Sequence, residues 1–517
     1  MAGEGELAVP QWLVRRAQTH PDKPALIAEG RTWTFAGLSA AAERAAAALR
    51  AQAVAPGARV GVLSHNSAAL VVVLHGLWRL GATAVPLNYR LTPSEIAQQL
   101  GDVKASVLLA SHRLQELGAE AVAALQEAGE PPRLLSLEGA AGNPSCNATV
   151  TGPPRPASGH PAAGDKLPVH RFGDTQVIMF TSGTTGRPKG ARLTYQNAWW
   201  SAVGSALNLG LHSDDAWLAC LPLCHIGGLS ILNRSVIYGI PAIVHERFDP
   251  QRVNREIDTG RVTIVSVVAT MLEQMLDERG DRPYPPSLRC VLIGGGPVSE
   301  RLLERALAAD VPLVQTYGMT ETSSQIATLA PADARRKAGS AGKPLMGAEL
   351  RIAAAPGEVG EILVRGPVLT PGYFGEPPGA HLDADGWFHT GDLGYLDAEG
   401  FLYVVSRRTD LIISGGENVY PAEVERVLSS HPGVKEAAVV ARPHPVWGEV
   451  PVAFFVPAGP AVPDADELAA HCRAQLAKFK VPAAFFPVPS LPRNATGKVL
   501  RTELRRRAIA EGGPVLA

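Results

Sequence analysis

Glycines, hydroxyls and a lysine crowd into the ten residues Thr181-Ser182-Gly183-Thr184-Thr185-Gly186-Arg187-Pro188-Lys189-Gly190, a composition suited to holding an anion. Gly183, Gly186 and Gly190 let backbone N–H groups approach a ligand closely, the hydroxyls of Thr181, Ser182, Thr184 and Thr185 add donors, and Lys189 supplies charge. The apolar run Val177-Ile178-Met179-Phe180 precedes the segment, and Thr194 follows it as an N-cap for a helix from Tyr195. The segment therefore reads as a strand-to-helix loop that binds phosphate. A flexible surface turn would leave this clustering unexplained. A Walker A loop would need glycine directly before the lysine and a hydroxyl directly after it. Pro188 and Gly190 stand there instead, and a P-loop nucleotide hydrolase is excluded.

Three further stretches carry chemistry. Val291-Leu292-Ile293-Gly294-Gly295-Gly296-Pro297 is a strand ending in a glycine run, where a flat ring can lie against bare backbone. Gln315-Thr316-Tyr317-Gly318-Met319-Thr320-Glu321-Thr322 joins an aromatic face, suited to a base, to a carboxylate, suited to a hard cation. Pro492-Arg493-Asn494-Ala495-Thr496-Gly497-Lys498 places a second lysine in a second loop, in a chain where lysine is scarce beside arginine. Between them, Trp217 to Gly228 reads as a buried strand that opens into a glycine turn, with His225 at its end. Histidines in that position are often satisfied core residues.

The elements that must position these residues are α/β in pattern. Leu38 to Ala51 is an Ala-rich helix, Arg59 to Leu63 a strand, Ala68 to Leu80 a helix and Ala82 to Leu87 a strand, which predicts βαβ units and a parallel sheet covered by helices. Gly139 to Asp165, rich in Gly, Pro, Ala and Ser, reads as a mobile loop between subdomains. From Glu349 the pattern changes to short hairpins, and the last hundred or so residues alternate helix and strand in a compact α+β theme. At 517 residues the chain exceeds one ordinary core. With 46% hydrophobic and 19% charged residues and a net charge of -1, it offers nucleic acid and anionic membranes no electrostatic attraction. No apolar stretch has the length of a membrane span, and a cytoplasmic location is expected. Five scattered cysteines argue against a disulfide framework, and Cys220, Cys224 and His225 lack a fourth ligand for a metal.

Taken in order, these stretches resemble the signatures of the adenylate-forming superfamily, which holds acyl-CoA synthetases, peptide-synthetase adenylation domains and luciferases. The resemblance spans nearly the whole chain. It implies an α/β fold with a large N-terminal domain of βαβ-layered and β-rich subdomains over 1–406, a hinge at 407–410 and a small mobile α+β domain over 411–517. It also implies residue roles: phosphate contacts from Thr181, Ser182, Gly183, Thr184, Thr185, Lys189 and Thr320; adenine packing on Tyr317, with Gly294, Gly295, Gly296, Gln315, Gly318 and Met319 around the nucleotide. Magnesium falls to Glu321, the ribose to Asp392 and Arg407, and the catalytic cation is Lys498. His225 then stands at the mouth of an acyl pocket with Gly227, Gly295, Gly318 and Ser323, and Arg192 is a longer-range cation.

Within the superfamily, Leu221 to Ser230, Ser235 to Gly239, Gln315 to Gln325, Lys337 to Leu345 and Asn197 to Ala202 resemble the ligases that join 2-succinylbenzoate to coenzyme A in menaquinone biosynthesis. The expected partners are thus a small carboxylic acid, ATP with Mg²⁺, and CoA as co-substrate. A ligase for another aryl or medium-chain acid is the alternative, and a catalytically idle nucleotide binder is disfavoured by the presence of Glu321 and Lys498. Oligomeric state is not fixed by the sequence, and a homo-oligomer is left open.

Overall fold

Short β-branched runs that are apolar on both faces become the central strands of two sheets. Thr83–Leu87, Val107–Ala110, Ile264–Val267 and Cys290–Ile293 are buried at every residue, as parallel strands sandwiched between helices must be. The structure, a computed structural model, describes residues 7–126, 131–142, 168–182, 188–296, 298, 300–406, 411–492 and 499–510. The greater part of the Gly139 to Asp165 stretch lies outside those residues, as do the expected hinge 407–410 and Lys498.

The first sheet has the order Pro188–Thr194, Thr175–Ser182, Thr83–Leu87, Arg59–Leu63, Val107–Ala110, Arg133–Ser136. The second starts with Lys343–Pro344, Ala327–Thr328, Leu313–Tyr317 and Cys290–Ile293. It continues through Ile264–Val267, Trp217–Ala219 and Ala242–Val244 to Pro24–Ala28 and Arg31–Thr34, where Leu26 lies parallel to and beside Ala242. The helix Ala68–Leu80 is apolar almost all round and correspondingly buried, as expected of a helix that belongs to a core rather than a surface. Its neighbour Phe35–Ala51 turns Ala41, Ala42, Ala45 and Ala46 inward, small side chains that let the two helices approach. Among the described residues no helix is long and apolar enough to cross a membrane.

After residue 345 the chain turns β-rich. Glu349–Ile352, Gly360–Arg365, Phe388–Leu396 and Leu402–Ser406 form an antiparallel sheet. A last sheet runs Glu417–Val419, Ile412–Ser414, Gly448–Pro457, Val434–His444, with Phe485–Pro487 added beside Gly448–Pro457. The helices Pro421–Ser429 and Ala465–Arg473 pack on it through Val424, Val427, Leu428, Leu468 and Cys472.

Two local readings are corrected. The glycine-rich segment does not run from strand to helix: Pro188–Thr194 pairs antiparallel with Thr175–Ser182, Lys189 opposite Thr181, so 183–187 connect two strands of one hairpin. The helix Tyr195–Leu209 does begin at the expected cap, with Thr194 and Asn197 closing a reciprocal capping box, but it starts one strand later. Likewise Gly227 and Gly228 are not a turn. They form the first turn of the helix Ile226–Tyr238, whose N-cap is His225.

Candidate active site

The short helical turn Thr320–Thr322 presents Glu321 to the hairpin. Its buried carboxylate accepts a hydrogen bond from the Thr181 hydroxyl at 3.2 Å and from the Tyr373 phenol at 2.9 Å, both on Oε1. Burial and the adjoining Glu321 charge hold the Tyr373 phenol far above its ordinary pKa, so it stays a donor. Glu321 is fit for a hard cation: its carboxyl group is sheltered and aimed by two hydroxyls. Among the described residues no group of three or more His, Cys, Asp or Glu could hold a metal ion. The protein thus offers one carboxylate and would leave the other positions to phosphate oxygens and water, a division that suits Mg²⁺.

Lys189 projects from the second strand of the hairpin toward the same place. Its ammonium lies 2.8 Å from Glu376 and 5.1 Å from the Tyr373 ring centre. Gly183, Thr184 and Thr185 lie outside the described residues; Ser182 is the strand residue opposite Pro188.

Tyr317 ends the strand Leu313–Tyr317, and Asp392 sits within Phe388–Leu396, 75 residues later. The fold brings both into its interior, where the Tyr317 phenol donates to Asp392 Oδ2 at 2.7 Å. Gln315 is turned elsewhere: its amide oxygen accepts from Gly339 N–H at 2.6 Å. Met319 N–H donates to the Thr322 hydroxyl at 2.9 Å, which shapes the turn holding Thr320 and Glu321. Gly318 has a packing reason of its own, since a β-carbon there would stand 1.6 Å from the Ser324 carbonyl oxygen. Gly294 follows Cys290–Ile293 beside Thr316, and Gly295 adopts φ +80°. Arg407 and Lys498 lie outside the described residues.

The region around Ser323 holds a feature the sequence reading missed. Ser323, in the left-handed region at φ 53°, offers its carbonyl to the Ser201 hydroxyl at 2.7 Å. Ser201 in turn accepts from Arg234 Nη2 at 3.3 Å, while Arg234 Nη1 donates to Ser230 at 3.1 Å. Ser230 donates to the Gly227 carbonyl at 3.4 Å. Arg234 is only 1% exposed, lies over the Trp217 ring at 5.2 Å and forms no ion pair among the described residues. Burial lowers its pKa, with Tyr238 acting in the opposite direction. Its Nε, both polar side-chain atoms of buried Gln325, and Nε and Nη2 of Arg192 make no hydrogen bond among the described residues. Only the polar character of Gln325 and Arg234 within apolar runs could have pointed to them. Burial pushes the Cys220 and Cys290 thiols up to about 12 and Cys224 higher still.

Residues 13–374 match the AMP-binding enzyme family and residues 423–498 match the AMP-binding enzyme C-terminal domain. The chain belongs to the AMP-binding enzyme family. A 2-succinylbenzoate–CoA ligase of Geobacillus kaustophilus is 47% identical over 504 residues, covering 96% of this chain and 98% of the relative. A double mutant of o-succinylbenzoate CoA synthetase from Bacillus subtilis, bound with its product analogue OSB-NCoA, superposes with a TM-score of 0.86 at 42% identity, over 97% of this chain and 99% of that one. The Bacillus subtilis enzyme in complex with ATP and magnesium ion gives 0.70, again at 42% identity, over 96% of this chain and 100% of that one.

The last sheet of this AMP-binding enzyme reaches the rest of the site. Its hairpin Ile412–Val419 is inserted against the rest of the site. A β-carbon on Gly296 would meet Ile413 Cδ1 at 2.9 Å, and one on Gly416 would meet Val268 at 3.7 Å. Glu417 is buried in the hairpin: its Oε2 accepts from Asn88 at 2.9 Å and lies 3.3 Å from His225 Nε2, and its Oε1 accepts from Arg90 at 3.3 Å. Burial alone would raise the Glu417 carboxyl, but His225, Arg90 and Asn88 hold it below its ordinary value. His225 is thus tied to a residue 192 positions later, and Asn88 and Arg90 join the site without a motif to announce them.

Proposed function

We propose that this AMP-binding enzyme is an ATP-dependent acid–CoA ligase that converts 2-succinylbenzoate to 2-succinylbenzoyl-CoA in menaquinone biosynthesis, through an acyl adenylate. The observation that carries the assignment is its 47% identity to a 2-succinylbenzoate–CoA ligase over 96% of its length. The geometry agrees with a dicarboxylate substrate. Arg234 is a buried cation hydrogen-bonded through Ser230 to Gly227 and through Ser201 to Ser323, the two residues expected to border the acid, and it forms no ion pair among the described residues. A carboxylate taken out of water needs such a partner.

In the first half-reaction a carboxylate oxygen attacks the α-phosphorus of ATP, and pyrophosphate leaves with the electron pair of the broken P–O bond. The carboxylate is already ionised, so no general base is required. Bound Mg²⁺ would screen the phosphate charge during that attack. Glu321 is placed to hold it, while Thr181, Ser182, Gly183, Thr184, Thr185 and Lys189 cradle the outer phosphates, which requires Lys189 to exchange Glu376 for an anion. Tyr317 and Asp392 hold the nucleoside with Arg407, and Lys498 stabilises charge between acid and α-phosphate. In the second half-reaction the thiol sulfur of CoA attacks the acyl carbon, the C–O bond to AMP breaks, AMP leaves as the anion and the thiol proton is released. The small domain 411–517 turns on the hinge 407–410 between the two steps. The higher TM-score with the product-analogue complex than with the ATP complex, 0.86 against 0.70, supports reading the present arrangement as that of the CoA step. The proposed location is the cytoplasm, where ATP and CoA, both water-soluble, are at hand.

The test is thioester formation with ATP, Mg²⁺ and CoA, read by mass spectrometry across 2-succinylbenzoate, benzoate and octanoate. The dicarboxylate should give the highest kcat/KM. A preference for octanoate or benzoate would leave an acid–CoA ligase of another specificity.

A further inference from the structure

A second charged cluster lies away from the reacting atoms. Lys480 Nζ stands 2.6 Å from Glu95 Oε1 and 3.0 Å from Glu423 Oε1, and the three side chains are 5%, 10% and 4% exposed. Lys480 and Glu423 belong to the part of the chain built around the last sheet, Glu423 on the helix Pro421–Ser429. Glu95 belongs to the helix Pro93–Asp102, 385 residues earlier. Beside this cluster, Ala477 and Phe479 pack into the same apolar cluster as Leu91, Ile96 and Leu100. One ammonium therefore joins two parts of the molecule in surroundings where water does little to screen it.

The two carboxylates are held differently. Glu95 is fixed by its own helix: Oε2 accepts from Thr92 N–H at 2.8 Å and from the Thr92 hydroxyl at 2.9 Å, closing a capping box and leaving Oε1 to face Lys480. Glu423 has Oε2 buried with no hydrogen bond among the described residues. Burial opposes the charge on both Glu423 and Lys480; it wins at Glu423, whose carboxyl is raised, whereas at Lys480 the two carboxylates outweigh it and hold the ammonium above its usual value. If the last sheet turns away, Lys480 leaves with Glu423 and keeps one counter-ion, while Glu95 stays with Thr92 and gains water. Neither side is stranded with an unpaired buried charge, which is the condition for an ion pair that breaks and remakes.

We propose that Lys480 is a positioning residue, a latch that closes on Glu95 only in the arrangement that brings the Gly415-Gly416 hairpin to His225, and that it thereby favours the CoA half-reaction over adenylation. This rests on the acid–CoA ligase reading above for its kinetic consequence. Glu95→Gln is the discriminating variant, because the amide oxygen can still accept from Thr92 while the charge facing Lys480 is gone. Thioester formation from supplied acyl adenylate and CoA should fall by roughly 5- to 150-fold, the span of ordinary coupling energies, while ATP–pyrophosphate exchange is unchanged or faster. A second readout needs no turnover. Spin labels on the exposed positions Arg44→Cys and Lys435→Cys, in a full chain with Cys146 and Cys224 replaced by serine, report the distance between the two parts. Glu95→Gln should deplete the distance belonging to the present arrangement. An equal change in both half-reactions, or a distance distribution that the substitution leaves alone, overturns the latch. If the unmodified protein makes no CoA thioester from any acid, the ligase reading fails while the distance measurement still decides the latch.

Discussion

Arg234 is a buried charge with no ion pair among the described residues, an arrangement that costs stability unless something else is gained. Replacing it with methionine, of similar length, should leave the melting temperature unchanged or higher. The KM for 2-succinylbenzoate should rise by about 10- to 100-fold, with the KM for ATP unaffected, since a charge-assisted hydrogen bond to a carboxylate is worth about 1.5–3 kcal/mol. An analogue with hydrogen in place of the ring carboxylate should be indifferent to the substitution, and steady-state kinetics on the two acids checks this. Asp392 makes the complementary case at the nucleotide. Asp392→Ala removes the acceptor of the Tyr317 phenol and strands the hydroxyls it would have met, at about 1–3 kcal/mol, so the KM for ATP should rise while that for the acid stays. At this scale the sequence announces residues crowded into one run, as from Tyr317 to Glu321, and the fold brings Glu321 within 3.2 Å of the Thr181 hydroxyl. Tyr373, Glu376 and Arg234 each stand alone in sequence and acquire meaning only from partners such as Glu321, 52 residues away from Tyr373.

The helix at Tyr195 and the strand at Cys290 were readable because caps and continuous apolar runs are local signals. The errors fell where glycine is ambiguous. Ala191 and Leu193 are buried while Arg192 is only half-buried, a period-2 pattern too short to overrule the loop-like Pro188-Lys189-Gly190 that precedes it. At Gly228 the residue that reads as a turn is instead a helical glycine lying close under the Pro222 carbonyl. The cap at Thr194 offers a test confined to an element: Thr194→Ala should cost about 1 kcal/mol of stability, and Thr194→Ser should recover most of it. Calorimetric melting would register both, and kcat should be unchanged for the serine variant.

Over the whole molecule, stability should carry an acid limb set by two buried histidines. Burial pushes His75 down from 6.5 to about 4, and burial together with His75 pushes His170 down to about 3. Arg79 lines the same small cavity and does nothing to favour their protonation. Because the folded values lie below the unfolded one, the unfolded chain binds more protons as pH falls; stability is complete above about pH 6.5 and is lost progressively toward pH 4 and 3. The full loss at His75 would be about 3 kcal/mol. Melting temperatures measured from pH 7.5 to 4.5 should fall, and His75→Gln should flatten that slope. Contacts across hundreds of residues, such as Lys480 with Glu95, could not be read in advance, since no periodicity links positions so far apart. The pairing of Pro24–Ala28 with Ala242–Val244 is of that long-range kind, and it sets a schedule for synthesis. The apolar strand around Leu26 leaves the ribosome long before its parallel partner exists, and at ordinary elongation rates the wait is on the order of ten to forty seconds. For that interval the nascent chain carries an unsheltered sticky edge, so its yield in a cell-free translation should depend on added trigger-type chaperone far more than the refolding of finished protein does.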